Sequence, residues 1–120
     1  MILLVEDEPI LLELLKAIFE DNGYRVVTAT NGEEAVEIFR QKKNEIGVVL
    51  SDMGLPKLGG WEMFEELRPI DPNVKVILAS GFVDTELREE ALKKGAKDFI
   101  QKPYVPASIL KLIRNVLDSD

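Results

Sequence analysis

The chain has 120 residues, 46% of them apolar, no cysteine, no histidine and a formal net charge of −7. That length fits one domain, 1–120, able to bury a core without disulfide or metal staples. Disulfides, Cys or His metal ligands, a histidine general base and a phosphohistidine of the chain's own are excluded, and the charge argues against non-specific binding to DNA or anionic membranes.

The N-terminus opens straight into a strand-like run with no signal-peptide pattern, and no apolar run approaches the ~18 residues that span a bilayer. With no cysteine in the chain, a reducing, cytoplasmic setting is the expectation.

Ile2 to Val5 reads as a short buried strand. Pro9 suits the first turn of a helix, and Leu11, Leu12, Leu14, Leu15, Ile18 and Phe19 carry a 3.6-residue period. Asn22-Gly23 stops that helix. Arg25 to Thr30 is strand-like, Asn31-Gly32 turns the chain, and Ala35, Val36, Ile38 and Phe39 mark a second helix. Ile46 to Ser51 is the third strand. A breaker-rich loop follows, with Gly54-Leu55-Pro56 and Gly59-Gly60. Trp61, Met63, Phe64 and Leu67 predict a third helix, ended near Pro69 and Pro72. Val74 to Ala79 is the fourth strand, Thr85 to Lys94 the fourth helix before Gly95, and Asp98 to Gln101 the fifth strand. Pro106 opens a last helix with Ile109, Leu110, Leu112, Ile113, Val116 and Leu117 on one stripe.

Five alternating βα units with Val/Ile/Leu strands predict a doubly wound α/β fold, a parallel sheet covered on both faces. In strand order 2-1-3-4-5, the first, third, fourth and fifth strands lie side by side, and ligands bind beyond their carboxyl ends. Glu6, Asp7, Asp52, Ser80 and Lys102 all fall at that rim. Three carboxylates so close repel one another unless a cation sits among them, and hard oxygen ligands suit Mg²⁺.

Each residue also has a plainer explanation. Asp7 before Glu8-Pro9 suits a helix cap, Asp52 a turn, and Ser80-Gly81 ordinary turn chemistry. Lys102 taken alone is a surface lysine, and Phe99 suits plain core. Trp61 and Met63 suit packing, and the Glu86 to Glu90 stretch and the Lys93-Lys94 pair suit solvated helix faces. The joint arrangement favours function, because chance rarely fills all five rim positions.

With LLVEDE at 3–8, SDMGLPKLGG at 51–60, ILASG at 77–81 and DFIQKPY at 98–104, the chain resembles a response-regulator receiver domain of two-component signalling along essentially its full length. The resemblance implies a flavodoxin-like (βα)5 fold. It implies that Asp52 accepts a phosphoryl group from a phosphohistidine on a partner, a histidine kinase or histidine phosphotransfer domain. Glu6 and Asp7 match the acidic pair that holds Mg²⁺ (or Mn²⁺), directly or through water, with Asp52 and the backbone carbonyl of Gly54. Lys102 matches the lysine that pairs with Asp52 and then with the phosphoryl oxygens. Ser80 matches the hydroxyl that turns inward, Phe99 the aromatic residue that follows it, and Pro103 a proline preceded by a cis peptide. Gly54 and Phe82 occupy the positions that set phosphoryl lifetime. The switching surface is the fourth helix, fifth strand and fifth helix. Such a domain is a phosphoacceptor that assists its own phosphorylation and slow dephosphorylation, not an enzyme with external substrates. It is a monomer or a weak phosphorylation-dependent dimer, touching neither nucleic acid nor membrane.

Two other functions compete. A Mg²⁺-dependent phosphohydrolase would also use an aspartyl-phosphate, but two residues after Asp52 stands Gly54 rather than a second acid. A degenerate receiver used as an interaction module would not need the complete acidic, lysine and hydroxyl set. SDMGLP, the Ser-Gly and QKPY resemble receivers of hybrid sensor histidine kinases, whose parent chain can be membrane-anchored. A stand-alone receiver is the alternative context.

Overall fold

Four consecutive apolar residues that bury every side chain leave no face for water. That is the state of β1, Ile2–Val5, in the computed structural model, which describes residues 1–55, 57–81 and 85–119. After it come α1 (Pro9–Asp21), β2 (Val26–Ala29), α2 (Gly32–Lys42), β3 (Val48–Asp52) and α3 (Gly60–Ile70). The chain continues through β4 (Val76–Ser80), α4 (Thr85–Lys93), β5 (Asp98–Gln101) and α5 (Pro106–Asp118). The strands form one parallel sheet in the order β2-β1-β3-β4-β5, the doubly wound, flavodoxin-like arrangement.

Alternation along the strands divides the core in two. Leu3, Val5, Val49, Leu78 and Phe99 face α2, α3 and α4, where Phe39, Met63, Phe64, Leu67 and Ala91 close over them. Ile2, Leu4, Val48, Leu50 and Ile77 face α1 and α5, against Leu12, Leu15, Phe19, Ile109 and Ile113. Each fully buried large side chain contributes roughly 1.5–3 kcal/mol. Among the described residues, no helix is long and apolar enough to cross a membrane.

The helix ends explain where the sequence-based boundaries hold and where they move. Gly23 and Gly95 have φ of 88° and 108°, the left-handed region that glycine enters without a Cβ clash. After each glycine the next N–H reaches back into the helix, Tyr24 to the Phe19 carbonyl and Ala96 to the Ala91 carbonyl. Asn31 is not a free turn. Its Oδ1 accepts the Glu34 N–H at 2.8 Å, while Glu34 Oε1 accepts the Thr30 N–H at 3.1 Å, so the pair caps α2 reciprocally. Helix α3 runs through Pro69 to Ile70, because a proline so near the end removes one N–H while the Asp71 N–H still closes on the Leu67 carbonyl at 3.0 Å. Strands β3 and β4 each begin two residues later than predicted and extend one residue further, to Asp52 and Ser80.

Candidate functional site

The sheet register decides which residues meet. Val5 pairs with Ser51, Asp52 with Ala79, and Ser80 with Gln101. Backbone bonding continues one residue past the strands. The Glu6 N–H donates to Ala29 (3.0 Å), Met53 to Ala79 (2.9 Å) and Lys102 to Ser80 (2.7 Å). Side chains from β1, β3 and β5 are thereby held over one rim.

Glu6, Asp7 and Asp52 each place a carboxylate oxygen so that all three lie within 4.8 Å of one another. Glu6 is buried, Asp52 half-buried and Asp7 exposed. Lys102 Nζ lies 2.8 Å from Glu6 Oε1 and 3.3 Å from Asp52 Oδ1. The expected pairing of Lys102 with Asp52 is therefore present, but the shorter contact goes to Glu6. The other Glu6 oxygen, Oε2, accepts the Glu8 N–H at 3.1 Å.

Burial raises the Glu6 carboxyl above the usual carboxylate range, against the opposing pull of Lys102 and the Glu8 N–H. Burial works against the Lys102 ammonium too. The Glu6 hydrogen bond and the charges of Asp52 and Glu6 outweigh it, so the lysine is held above its ordinary value and stays charged. Tyr104 has no predicted role, yet its ring lies 5.9 Å from Lys102 Nζ. Burial, then the negative charges of Glu6 and Asp52, push its phenol strongly upward. It is a neutral wall beside the ammonium. Its only sequence signal is adjacency to Lys102-Pro103.

The remaining expected residues sit as follows. Ser80 is buried at the end of β4, one residue beyond the partner of Asp52. Phe99 is buried in the core facing α2, α3 and α4, paired with Leu78. The Lys102–Pro103 peptide is cis. Gly54 is exposed, and a Cβ built there would lie 3.7 Å from Asp52 Oδ2. Phe82 lies outside the described residues. Asp7 is not the cap of α1. That position belongs to Glu8, without a side-chain cap bond, and Pro9 opens the helix.

Gly60 was noted in the sequence only as a loop breaker, but it positions Asp52. Its N–H donates to the Met53 carbonyl at 3.2 Å, and an added Cβ would meet Met53 Cα at 3.0 Å and overlap the Asp52 carbonyl. These are backbone atoms with no room to yield. Gly60→Ala should cost about 1–3 kcal/mol by overpacking and displace Asp52 from Lys102. Chemical denaturation of the purified variant measures the loss.

The donor set fits a hard divalent cation. It offers only oxygens, and one ammonium against three carboxylates leaves a net charge of −2 (−3 + 1). Removing one exposed charge should ease the repulsion. Asp7→Asn is expected to raise the melting temperature by about 2–5 °C without metal and to lack the Mg²⁺-dependent stabilisation expected of the wild type. Scanning calorimetry with and without Mg²⁺ checks both.

Comparison with known proteins agrees with this geometry. The chain is 38% identical over 116 residues to the Chemotaxis protein CheY of Thermotoga maritima, covering 96% of this chain and 95% of that one. It is 36% identical to the Probable transcriptional regulator ycf27 of Guillardia theta, but spans only 44% of that longer protein. Among solved structures, it superposes with a TM-score of 0.93 and 32% identity on a chain of the CheX-CheY-BeF3-Mg²⁺ complex from Borrelia burgdorferi, covering 98% of this chain and 89% of that one. A response regulator receiver domain protein from Clostridium thermocellum gives a TM-score of 0.91 at 33% identity, covering 98% and 93%. The family model of the response regulator receiver domain matches residues 2–114. From its sheet order, its acidic rim and these matches, the chain belongs to the response regulator receiver domain family.

Proposed function

We propose that Asp52 is the phosphoacceptor of this receiver, taking a phosphoryl group from the phosphohistidine of a histidine kinase or histidine phosphotransfer domain. One observation carries this: Asp52 ends β3 with its carboxylate 3.3 Å from the Lys102 ammonium and inside the three-carboxylate cluster. These 120 residues hold no histidine, so the donor imidazole lies outside them.

In the transfer, an Asp52 oxygen forms a bond to phosphorus as the phosphorus–nitrogen bond of the donor breaks. Phosphoryl transfer needs positioning and charge compensation more than covalent assistance. Lys102 supplies one positive charge, as a point charge on a flexible stem able to follow the moving oxygens. Bound Mg²⁺ (or Mn²⁺) supplies further positive charge at the acidic rim. Glu6, Asp7, Asp52 and the Gly54 carbonyl are the groups available to hold it. Ser80, on the neighbouring strand, offers a hydroxyl to a phosphoryl oxygen. A chain of the same fold comes from a Borrelia complex of CheX, CheY, BeF3 and Mg²⁺, which supports this assignment.

Incubation with acetyl phosphate and Mg²⁺ tests the proposal. A phosphoacceptor accumulates a durable adduct on intact-mass measurement. A phosphohydrolase would release phosphate steadily with little adduct. A domain used only for docking would do neither.

The phosphoryl group should also bias the packing of α4, β5 and α5, through Ser80 and the Phe99 rotamer. The shift is as large as the difference in contact free energy between the two packings, and no larger. Backbone NMR shifts on forming the beryllofluoride adduct are expected to cluster on α4, β5 and α5. Shifts confined to the rim would refute the switch.

A further inference from the structure

Helix α5 is held unequally at its two ends. At its start, Val105 is the N-cap, 59% exposed and without a side-chain cap bond, and Pro106, Ala107 and Ser108 are exposed. A groove of about 140 Å³ lies beside this first turn, lined among others by Ile100, Tyr104, Val105, Ser108 and Leu112. At the other end, the Lys75 ammonium donates to the Leu117 carbonyl at 3.2 Å and to the Ser119 carbonyl at 2.5 Å. The Ser119 hydroxyl adds a bond to the Val116 carbonyl at 2.7 Å. Leu117 rests on Gly47, where an added Cβ would come within 2.7 Å of its Cδ2.

Charge explains the grip. The last carbonyls of a helix have no partner within it and carry partial negative charge, so a cation beside them is stabilising. Helix α5 has no basic residue in its own last turn. The cation comes instead from the residue just before β4, 42 positions from Leu117. Its backbone is fastened to the sheet, the Lys75 carbonyl accepting the Val49 N–H at 2.8 Å. Its side chain is half-buried, where a charge-assisted hydrogen bond outweighs a neutral one. One strand therefore carries Ser80 at the phosphoacceptor rim and, at its opposite edge, the fastening of α5.

We propose that Lys75 is the pivot of α5. It fixes the last turn of the helix to β4, so that the packing change induced by the phosphoryl group tilts the first turn over its groove and leaves the last turn in place. The proposal rests on the phosphoryl switch proposed above and adds the device that gives it a direction. A helix of 13 residues is roughly 20 Å long, so a tilt of about 5° at one end moves the other by about 1.7 Å. That displacement reshapes the exposed surface around Val105 and Ser108 while the end held by Lys75 keeps its contacts.

Amide hydrogen exchange of the metal-free protein reads the fastening. Lys75→Met keeps an unbranched stem and removes the ammonium. It should speed exchange at Leu117, Asp118 and Ser119 by about tenfold or more, the scale of a lost charged hydrogen bond, and leave Ile113 unchanged. Lys75→Arg keeps the charge and the donors and should retain slow exchange. Unchanged exchange in Lys75→Met overturns the proposal. Backbone NMR of the beryllofluoride adduct with Mg²⁺ reads the pivot. In the wild type, shift changes should be largest from Ala107 to Ile109 and fade out by Leu117. In Lys75→Met they should spread through Leu117, Asp118 and Ser119. Wild-type changes as large in the last turn as in the first, or a fading pattern that Lys75→Met leaves as it was, equally overturn the proposal. No change anywhere on α5 would instead refute the phosphoryl switch itself, with hydrogen exchange still deciding whether Lys75 fastens the helix.

Discussion

Asp52→Asn is expected to abolish phosphoryl incorporation from acetyl phosphate or phosphoramidate while the protein stays folded. Asparagine has nearly the shape of aspartate, so the half-buried end of β3 is not disturbed. Its amide oxygen still accepts from Lys102. Its nitrogen lone pair is delocalised and does not attack phosphorus. The neighbouring carboxylates do not take over. Glu6 is buried with both oxygens engaged, and Asp7 stands exposed, without the Lys102 contact that Asp52 has. Loss of one of three crowded negative charges should also raise the melting temperature slightly. Intact-mass measurement after exposure to donor and Mg²⁺ provides the check. A fully labelled mutant would move the acceptor to another residue.

The second large effect concerns the life of the phosphoaspartate. Hydrolysis needs a water placed in line with the phosphorus, and a side chain that positions or deprotonates water is typically worth ~10²–10⁴-fold. Gly54 has no such side chain. It is exposed, and a Cβ there would fall 3.7 Å from Asp52 Oδ2 at ordinary contact distance. A side chain at this position would therefore stand beside the Asp52 carboxylate without displacing backbone. The sequence places an apolar residue, Phe82, two positions after Ser80. The wild-type adduct should accordingly persist far beyond seconds. Gly54→Asn combined with Phe82→Glu should shorten its half-life by about tenfold or more. The loss of the adduct is followed over time after donor removal. A wild-type half-life of seconds, or no acceleration in the double variant, would contradict the expectation.

Much of the fold was legible in the chain because local chemistry and global arrangement agree. Ile2 to Val5 is apolar without interruption, as a strand covered on both faces must be. Gly23 and Gly95 mark helix ends because the backbone there adopts positive φ. The same order of elements places Glu6, Asp7, Asp52, Ser80 and Lys102 at one rim, since parallel strands all point their carboxyl ends the same way. Roles that depend on local competition were less legible. Asn31 suits a turn and a helix cap equally well, and the Glu34 N–H donating to its Oδ1, with the Glu34 side chain reaching back to Thr30, decides for the cap. Asp7 suits a cap by position, yet the helix starts one residue later, at Pro9 after Glu8.

Composition and periodicity by themselves determined the five βα units and their parallel sheet, and the motifs, through the resemblance they carry, implied the strand order and the membership of the acidic and basic rim. Only the tertiary structure decided how the rim is wired. Lys102 takes its shorter contact with Glu6, from the far side of two intervening strands. Tyr104 walls the ammonium, and Gly60 lets α3 rest against the Asp52 backbone. These contacts join residues up to 96 positions apart. Their distances follow from strand spacing, register and side-chain length together, and no local window of sequence contains all three.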